Sequence, residues 1–390
     1  MELRNLRMDE FDISMKLAMY AFQMKLPPEQ LEAARGRFKP ENVWGVFEEG
    51  DLQAQLTIIP LQLYVQGRAL DMGGIAGVSS WPEHRRQGHV ARLISHALEQ
   101  MRARGQSVSC LAPFSFGFYR KYGYETYTEY KKYTVEAPMF PPRTASALHV
   151  TRISEEEIPQ LSGIYERYAS RYNGTLKRDE AWWKTSVLRR KKGNAAVCRR
   201  PDGEPAGYML YEVADRLMTV HEMVFEDEEA RRALWTFIAN HDSMIDKAVL
   251  EAPMDDALPY LLPNPRIGQE VVPYFMARIV DAAAFAGQYA FAPGKEATRL
   301  TVELSDRHAE WNEGIWRLAV APDGSGSLER ENSGEAPRLA CDINTWTALL
   351  MGYLRPLQLH GFGKLTGSPE AAARLEAIIP SRQTYLLDFF

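Results

Sequence analysis

Cysteine is nearly absent: Cys110, Cys198 and Cys341 are three in 390 residues, far apart and odd in number. No CxxC pair occurs, so neither a disulfide framework nor a zinc site is expected, and a reducing cytoplasm fits best. Long apolar runs are missing too; none approaches the ~18 residues of a membrane span. The start, MELRNLRMDEFD, is charged and lacks the apolar core of a signal peptide. Positive charge is not in excess. With 46 Lys and Arg against 51 Asp and Glu, the net charge is −5, which gives no general case for nucleic acid or an anionic membrane and mildly favours cationic ligands. What remains is an ordinary globular composition, 45% hydrophobic and 25% charged, in a chain long enough for two or three domains.

In residues 40–135, VWGVFEEGDLQAQLTIIPLQLYVQGRALDMGGIAGVSSW alternates β-branched or aromatic residues with polar ones. It reads as three strands with turns at Glu49-Gly50-Asp51 and Gln66-Gly67-Arg68. In the next segment Val90, Leu93, Ile94, Ala97, Leu98 and Met101 recur at helical steps, so GHVARLISHALEQMRARG reads as an amphipathic helix. SVSCLA follows as a short buried strand, FGFYRKYGY as a short helix and turn, and ETYTEYKKYTVE as a returning strand. The proline-rich PMFPPRTAS is a linker, and strand–turn–strand–strand–helix–strand then recurs, which suggests an internal duplication. Where the first copy has HRRQG, the second has FEDEEARRA, acidic and without glycine. The boundaries expected are 1–140, 141–288 and 289–390. The last unit carries three strands and two helices and ends in RQTYLLDFF, apolar to its last residue and so expected to be buried.

The chemistry concentrates at PEHRRQGHVARLI. Arg85-x-x-Gly88 follows a strand and opens a helix, whose first N–H groups lack internal partners and whose dipole is positive there. Glycine admits close backbone approach, and Arg85 and Arg86 add charge-assisted hydrogen bonds, so the corner suits a phosphate group.

HRRQGHVARLISHAL with FYRKYGYE downstream resembles the GNAT acetyltransferase superfamily, whose usual loop is R/Q-x-x-G-x-G/A; Val90 departs from its last position. The order of parts and the terminal phenylalanine resemble the Eis (enhanced intracellular survival) family over the whole chain. The resemblance implies an α/β (α+β) fold class: two tandem GNAT folds, each a mixed central sheet flanked by helices, the second degenerate, then a sterol-carrier-protein-like α+β domain. It implies that Val78 and Ser80 meet the pantetheine arm of acetyl-CoA and that Arg85, Arg86 and Gly88 hold its pyrophosphate. It further implies Tyr119 as general acid, with Tyr122 and Tyr124 close by, and the free carboxylate of Phe390 as general base. The acceptors implied are amines of polycationic molecules such as aminoglycosides, and the assembly a homo-hexamer. Acidic pocket residues are then expected, though the sequence does not place them.

The chemistry needs these parts. An ammonium must lose a proton before its nitrogen attacks a thioester, and a carboxylate can take it. Attack creates an oxyanion that backbone donors can stabilise. A terminal carboxylate ordinarily titrates near 3.3–3.7, and burial beside Leu386, Leu387 and Phe389 would raise it. Other features carry less. Phe22 and Trp44 are candidates for the acceptor pocket, with core packing as their alternative. Trp182 and Trp183 read as packing anchors, RRKKG (189–193) as a solvated helix end, and His84 as a surface or capping residue. His221-Glu222 is not HExxH, because Phe225 stands at the second histidine position, and no metal site is expected. GFGKLTG (361–367) lacks the first glycine and the Ser/Thr of a phosphate loop. Competing readings are a protein-lysine or polyamine acetyltransferase, and a lipid- or small-molecule-binding protein with inert GNAT units.

Overall fold

The computed structural model describes residues 1–331 and 338–390. The first region contains β1 (Glu2–Asn5), α1 (Phe11–Ala21), α2 (Pro28–Gly36), β2 (Val43–Glu48), β3 (Asp51–Val65), β4 (Arg68–Ser80), α3 (His89–Ala103), β5 (Val108–Leu111), α4 (Phe116–Arg120), β6 (Glu125–Thr126) and β7 (Glu129–Glu136). The alternation predicted for β2, β3 and β4 yields an antiparallel meander, with chain reversals between β2 and β3 and between β3 and β4. The predicted apolar face of α3 is the face that packs: Leu93, Ile94, Ala97, Leu98 and Met101 are buried against Leu56, Ile58 and Ile75.

The second region contains β8 (His149–Ile153), α5 (Ser162–Ala169), α6 (Glu180–Trp182) running through a π-helical turn into α7 (Leu188–Arg190), β9 (Asn194–Arg199), β10 (Pro205–Ala214), β11 (Leu217–Phe225), α8 (Glu228–Ala239), β12 (Lys247–Ala252), α9 (Leu258–Leu261), β13 (Gly268–Pro273) and β14 (Met276–Ile279). The duplication is real at the level of topology. β2-β3-β4-β5 and β9-β10-β11-β12 lie in the same neighbour order, and only the last pair of each set, β4–β5 and β11–β12, is parallel.

The two sheets then exchange strands. β14 crosses back to the first sheet and lies between β5 and β6, antiparallel to both, while β7 crosses forward and lies between β12 and β13. The single returning strand predicted from ETYTEYKKYTVE is therefore two: β6 stays in the first sheet and β7 joins the second. A boundary at 140 divides the sequence but not the sheets, whereas 288 falls between the two strand-exchanging sheets and the third.

The third region packs α10 (Ala282–Gln288), α11 (Ile343–Met351), α12 (Pro356–Gly361) and α13 (Pro369–Ile378) with a sheet of β15 (Thr298–Ser305), β16 (Gly314–Val320), β17 (Gly326–Arg330), β18 (Arg338–Asp342) and β19 (Thr366–Gly367), in the order β17-β16-β15-β18-β19. Its core is continuous with one face of the first sheet, where Met72, Cys110 and Ile279 meet Trp346, Leu349 and Leu350. Arg278 on β14 donates to both oxygens of Asp306 at 2.7 Å, both side chains fully buried, and so pins the exchanged strand to the third region. Among the described residues no helix is long and apolar enough to cross a membrane.

Candidate active site

β4 and β5 run parallel only from Met72–Val108 to Ile75–Leu111. Beyond Ile75, β4 continues to Ser80 without that neighbour, so the sheet splits. A register shift in β4 opposite Gln55–Thr57 bends the strand here, and such a bulge leaves backbone groups unpaired and re-aims them. A cleft of about 710 Å³ opens at the split, and Val78, Ser80, Arg85, Arg86 and Gly88 all line it. The structure thus brings the five sequence-predicted cofactor residues together.

The loop is shaped for an anion. Arg86 and Gly88 both have positive φ, 66° and 84°. These two left-handed residues turn the backbone sharply just before α3, and a non-glycine residue held at positive φ marks a site under constraint. Gly88 is the N-cap of α3 and offers no side chain to the helix end. A Cβ on Gly88 would meet nothing within 4 Å, so its backbone conformation, not space, calls for glycine. At the equivalent corner of the second region, the Asp227 carboxylate caps α8 by accepting from Ala230 N at 2.9 Å, with Glu228 and Glu229 in the first turn. That helix end supplies its own anion. His89 adds a feature the sequence did not flag: it is buried, lines the same cleft, and neither ring nitrogen has a partner among the described residues. Val90, the departure from the usual motif, also lines the cleft.

Tyr119 sits on α4 among Phe114, Phe118 and Tyr124, at 5.4, 5.1 and 6.1 Å between ring centroids. Burial pushes its phenol well above the usual tyrosine range, so it stays protonated. Its hydroxyl makes no hydrogen bond among the described residues, whereas the Tyr124 hydroxyl is tied to Ser109 Oγ at 2.8 Å. Tyr122 lines the cleft of Arg85, Arg86 and Gly88, and burial raises its pKa as well.

The chain end enters from the opposite face. Gly74 lies one residue before the last β4–β5 pair, and a Cβ there would fall 2.8 Å from the Phe390 ring. Phe275, 4.8 Å away between centroids, and Trp182, 6.4 Å away, complete the ring's seat. Tyr119 packs with Ile75 and Leu111 on the α3 side, while Phe390 packs in the cluster of Met72 and Cys110. The two predicted catalytic residues therefore flank the split from its two faces. On the Phe390 side a second cleft, about 1000 Å³, lies between α1, α2 and β3 and includes Thr57, Gly77 and Trp182 in its lining.

A fully buried ion network holds the tail. Arg178 donates through Nε to both oxygens of Asp388 (3.0 and 3.1 Å) and through its two terminal nitrogens to Glu222 (2.9 and 2.8 Å). Its guanidinium lies over the rings of both Tyr165 and Trp183, at 3.8 and 4.6 Å. Lys191 reaches Glu222 and donates to the Leu387 carbonyl at 2.6 Å, and Tyr208 also donates to Glu222. Glu222 lies on β11 beyond its last pairing with β12, Val220–Leu250, so the tail occupies the split of the second sheet. The degenerate copy is a receptacle for the chain end.

Several expectations change. Lys191 is not a solvated helix end but part of the tail's socket. Trp183 is fully buried as a packing residue, but Trp182 lines the large cleft. Phe22 is half exposed and lines the cleft of Arg85, Arg86 and Gly88, not the one that holds Trp182. Trp44 lies away from both clefts, its ring 4.2 Å from His96 of α3.

Comparison with known proteins accords with this geometry. A family profile described as "Acetyltransferase (GNAT) domain" matches residues 2–127, a second GNAT acetyltransferase profile matches 174–279, and a sterol carrier protein domain profile matches 282–387. An uncharacterized N-acetyltransferase of Streptomyces avermitilis is 26% identical over 86% of this chain and 84% of its own, and one of Streptomyces coelicolor is 25% identical over 94% and 93%. Among solved structures, a probable N-acyltransferase from Enterococcus faecalis superposes with a TM-score of 0.93 at 27% identity, over 100% of this chain and 99% of its own. A GCN5-related N-acetyltransferase from Anabaena variabilis gives 0.89 at 25%, over 100% of each chain. Eis1 from Mycobacterium abscessus shares the fold across 100% of each chain, with a TM-score of 0.83 at 23% identity. The chain is a GNAT-type N-acetyltransferase, built of two GNAT domains that trade strands and a sterol-carrier-type domain that closes the chain.

Proposed function

We propose that the enzyme transfers the acetyl group of acetyl-CoA directly to an amine, with the Phe390 carboxylate as base and the Tyr119 hydroxyl as donor to the departing thiolate. The observation that carries this reading is the seat of Phe390 on Gly74, beside the point where β4 and β5 part. The residues fit the cofactor: an uncapped helix N-terminus and two arginines for a pyrophosphate, then an unpaired strand edge for an amide-bearing arm. The carboxylate accepts a proton from the acceptor ammonium, and the neutral nitrogen attacks the thioester carbonyl. Backbone N–H groups of the split support the oxyanion. The C–S bond breaks, and the second proton on nitrogen passes to the departing thiolate, which leaves as the free thiol. Burial holds the Tyr119 proton too tightly for easy release, so its main contribution is a hydrogen bond to the developing thiolate. Acetyl-CoA is already activated, and orientation supplies much of the remaining rate.

The acceptor belongs to the amine class, with aminoglycosides and other polyamines first in line by family resemblance. The acidic lining expected for polycations is thin. Among the described residues the large cleft carries Arg37, Lys39, Arg104 and Lys177 against Asp71 and Asp179, apart from the paired Arg178. Both carboxylates are engaged, Asp71 by Gln62 at 2.8 Å and Asp179 as a helix N-cap at 2.6 Å. A panel should therefore span amines with and without an anionic group. The proposal includes a cytoplasmic homo-hexamer, which light scattering would check.

The test is CoA-thiol release with that panel, on protein with its native end and on protein extended by two residues. Extension turns the base into an amide. Acceptor-dependent release that falls by about 10²–10⁴ on extension, with the acetyl-CoA KM unchanged, supports the reading. Full activity of the extended enzyme overturns the assignment of the base. Tyr119→Phe and Tyr122→Phe, measured side by side, assign the donor.

A further inference from the structure

We propose that Asp388 and Arg178 form a positioning device: their ion pair fixes the chain end so that the Phe390 carboxylate, not that of Asp388, is presented to the acceptor cleft. This rests on the reading of Phe390 as base. Two carboxylates lie within three residues of the terminus, and the structure treats them differently. Asp388 is 3% exposed. Its oxygens accept from Arg178, from Trp182 Nε1 at 2.9 Å and from Tyr165 Oη at 3.3 Å, and its carbonyl accepts from Tyr274 Oη at 3.0 Å. The next carbonyl back, Leu387, is held by Lys191. Asp388 is buried and already paired with Arg178 and Trp182, so it serves as an anchor.

The anchor acts at short range. Chain ends fray unless tied down, and two residues of extended chain span at most ~7 Å. Any slack at Asp388 is therefore passed to the Phe390 carboxylate. Trp182 couples the anchor to the cleft: its N–H is spent on Asp388, its ring neighbours that of Phe390, and it lines the acceptor side. Every donor to the Asp388 side chain comes from α5, from the segment after it or from α6, so the second domain aims a group of the third at the split of the first. A buried ion pair is weak evidence of stability; here its geometry serves placement.

The test is Asp388→Asn in the full chain, which keeps the shape and removes the charge. Expected is a fall in kcat of about a hundredfold near neutral pH, the scale of a ~1 Å misplacement, with the acetyl-CoA KM within about twofold. The deficit should shrink as pH approaches the acceptor's own ammonium pKa, because a neutral amine needs no base. It should add nothing to the C-terminal extension. Undiminished kcat, or a deficit equal at every pH, overturns the proposal. Trp182→Phe keeps the ring and removes one donor to Asp388; it should show the same pH signature at smaller size, and it carries the test if Asp388→Asn does not fold. If the extended enzyme loses activity and Asp388→Asn does not, only the positioning role fails. If the extended enzyme is fully active, the base assignment has failed and this inference with it.

Discussion

Phe390 and Gly74 fit against each other with no room for a methyl group: a Cβ on Gly74 would lie 2.8 Å from Cε2 and 2.9 Å from Cδ2 of the ring. Leu61 closes the same spot at 3.2 Å. The glycine is there for space, and the space belongs to the last residue of the chain. Gly74→Ala should push the ring, and its carboxylate, off the split. Overpacking of this kind costs ~1–3 kcal/mol, which a domain core can absorb. The expected outcome is a folded protein whose kcat falls at least about tenfold while its acetyl-CoA KM holds. An unchanged kcat would mean that the carboxylate does not need this seat.

Arg85 and Arg86 should act on the other substrate. Neither makes an ion pair among the described residues, and both line the cleft beside the open end of α3. Hydrogen bonds to a charged group contribute ~1.5–3 kcal/mol each. Replacing both by alanine should raise the acetyl-CoA KM by about 10²-fold or more, with kcat at saturation little changed. Because the partner is an anion in a partly open cleft, raising the salt should narrow the gap between wild type and variant. A KM that does not move would place the pyrophosphate elsewhere.

How much of this could be read from the sequence depends on range. The corner HRRQG was legible because its parts are adjacent: a strand end, two cations, a glycine and an amphipathic helix. The buried tail was legible because an apolar chain end is unusual. The duplicated topology showed in the order of elements. The strand exchange did not, because alternation specifies a strand and one buried face, but not the neighbour it will meet. Nothing in ETYTEYKKYTVE says that Thr126 and Glu129 part into different sheets. Asp388 and Arg178 are 210 residues apart, and neither has a local pattern that announces the other. Trp182 and Trp183 look alike in sequence, yet successive positions of one helix face different surroundings. For Trp44 the sequence leaves pocket lining and core packing both open, and the structure packs it against His96 of α3.

The exchange also predicts what dissection would do. Residues 1–140 alone would lack β14, leaving the inner edge of β5 unpaired and β6 without the strand it pairs with, and would carry β7 as an orphan strand. Exposed unpaired edges promote aggregation. The fragment should be insoluble or molten, judged by amide dispersion and thermal melting. Supplying residues 141–390 as a separate chain should restore a cooperative transition, if the missing strand is the reason. A fragment that melts cooperatively alone would show that β14 is dispensable to the first sheet.

Acid should loosen the tail before it unfolds the rest. Burial alone would raise the Glu222 carboxyl, but the charges of Arg178 and Lys191 and their hydrogen bonds outweigh burial and hold it well below the usual carboxylate range. A group whose folded pKa is depressed contributes stability that is fully present above its unfolded value, ~4.3 for glutamate, and is lost as pH falls toward the folded value. Wild type should therefore lose this contribution progressively below about pH 5. Glu222→Gln removes a buried partner of two cations and should cost ~3–5 kcal/mol at neutral pH. The variant's own stability should then fall less steeply between about pH 5 and pH 2, by the slope of one proton. Chemical denaturation of both proteins across that range measures the slope directly. Activity adds a second reading: because Arg178 also holds Asp388, the acceptor-dependent rate of Glu222→Gln should drop more than its acetyl-CoA binding. Parallel slopes for the two proteins would mean that Glu222 is not held ionised in the fold, and that Arg178 is balanced in some other way.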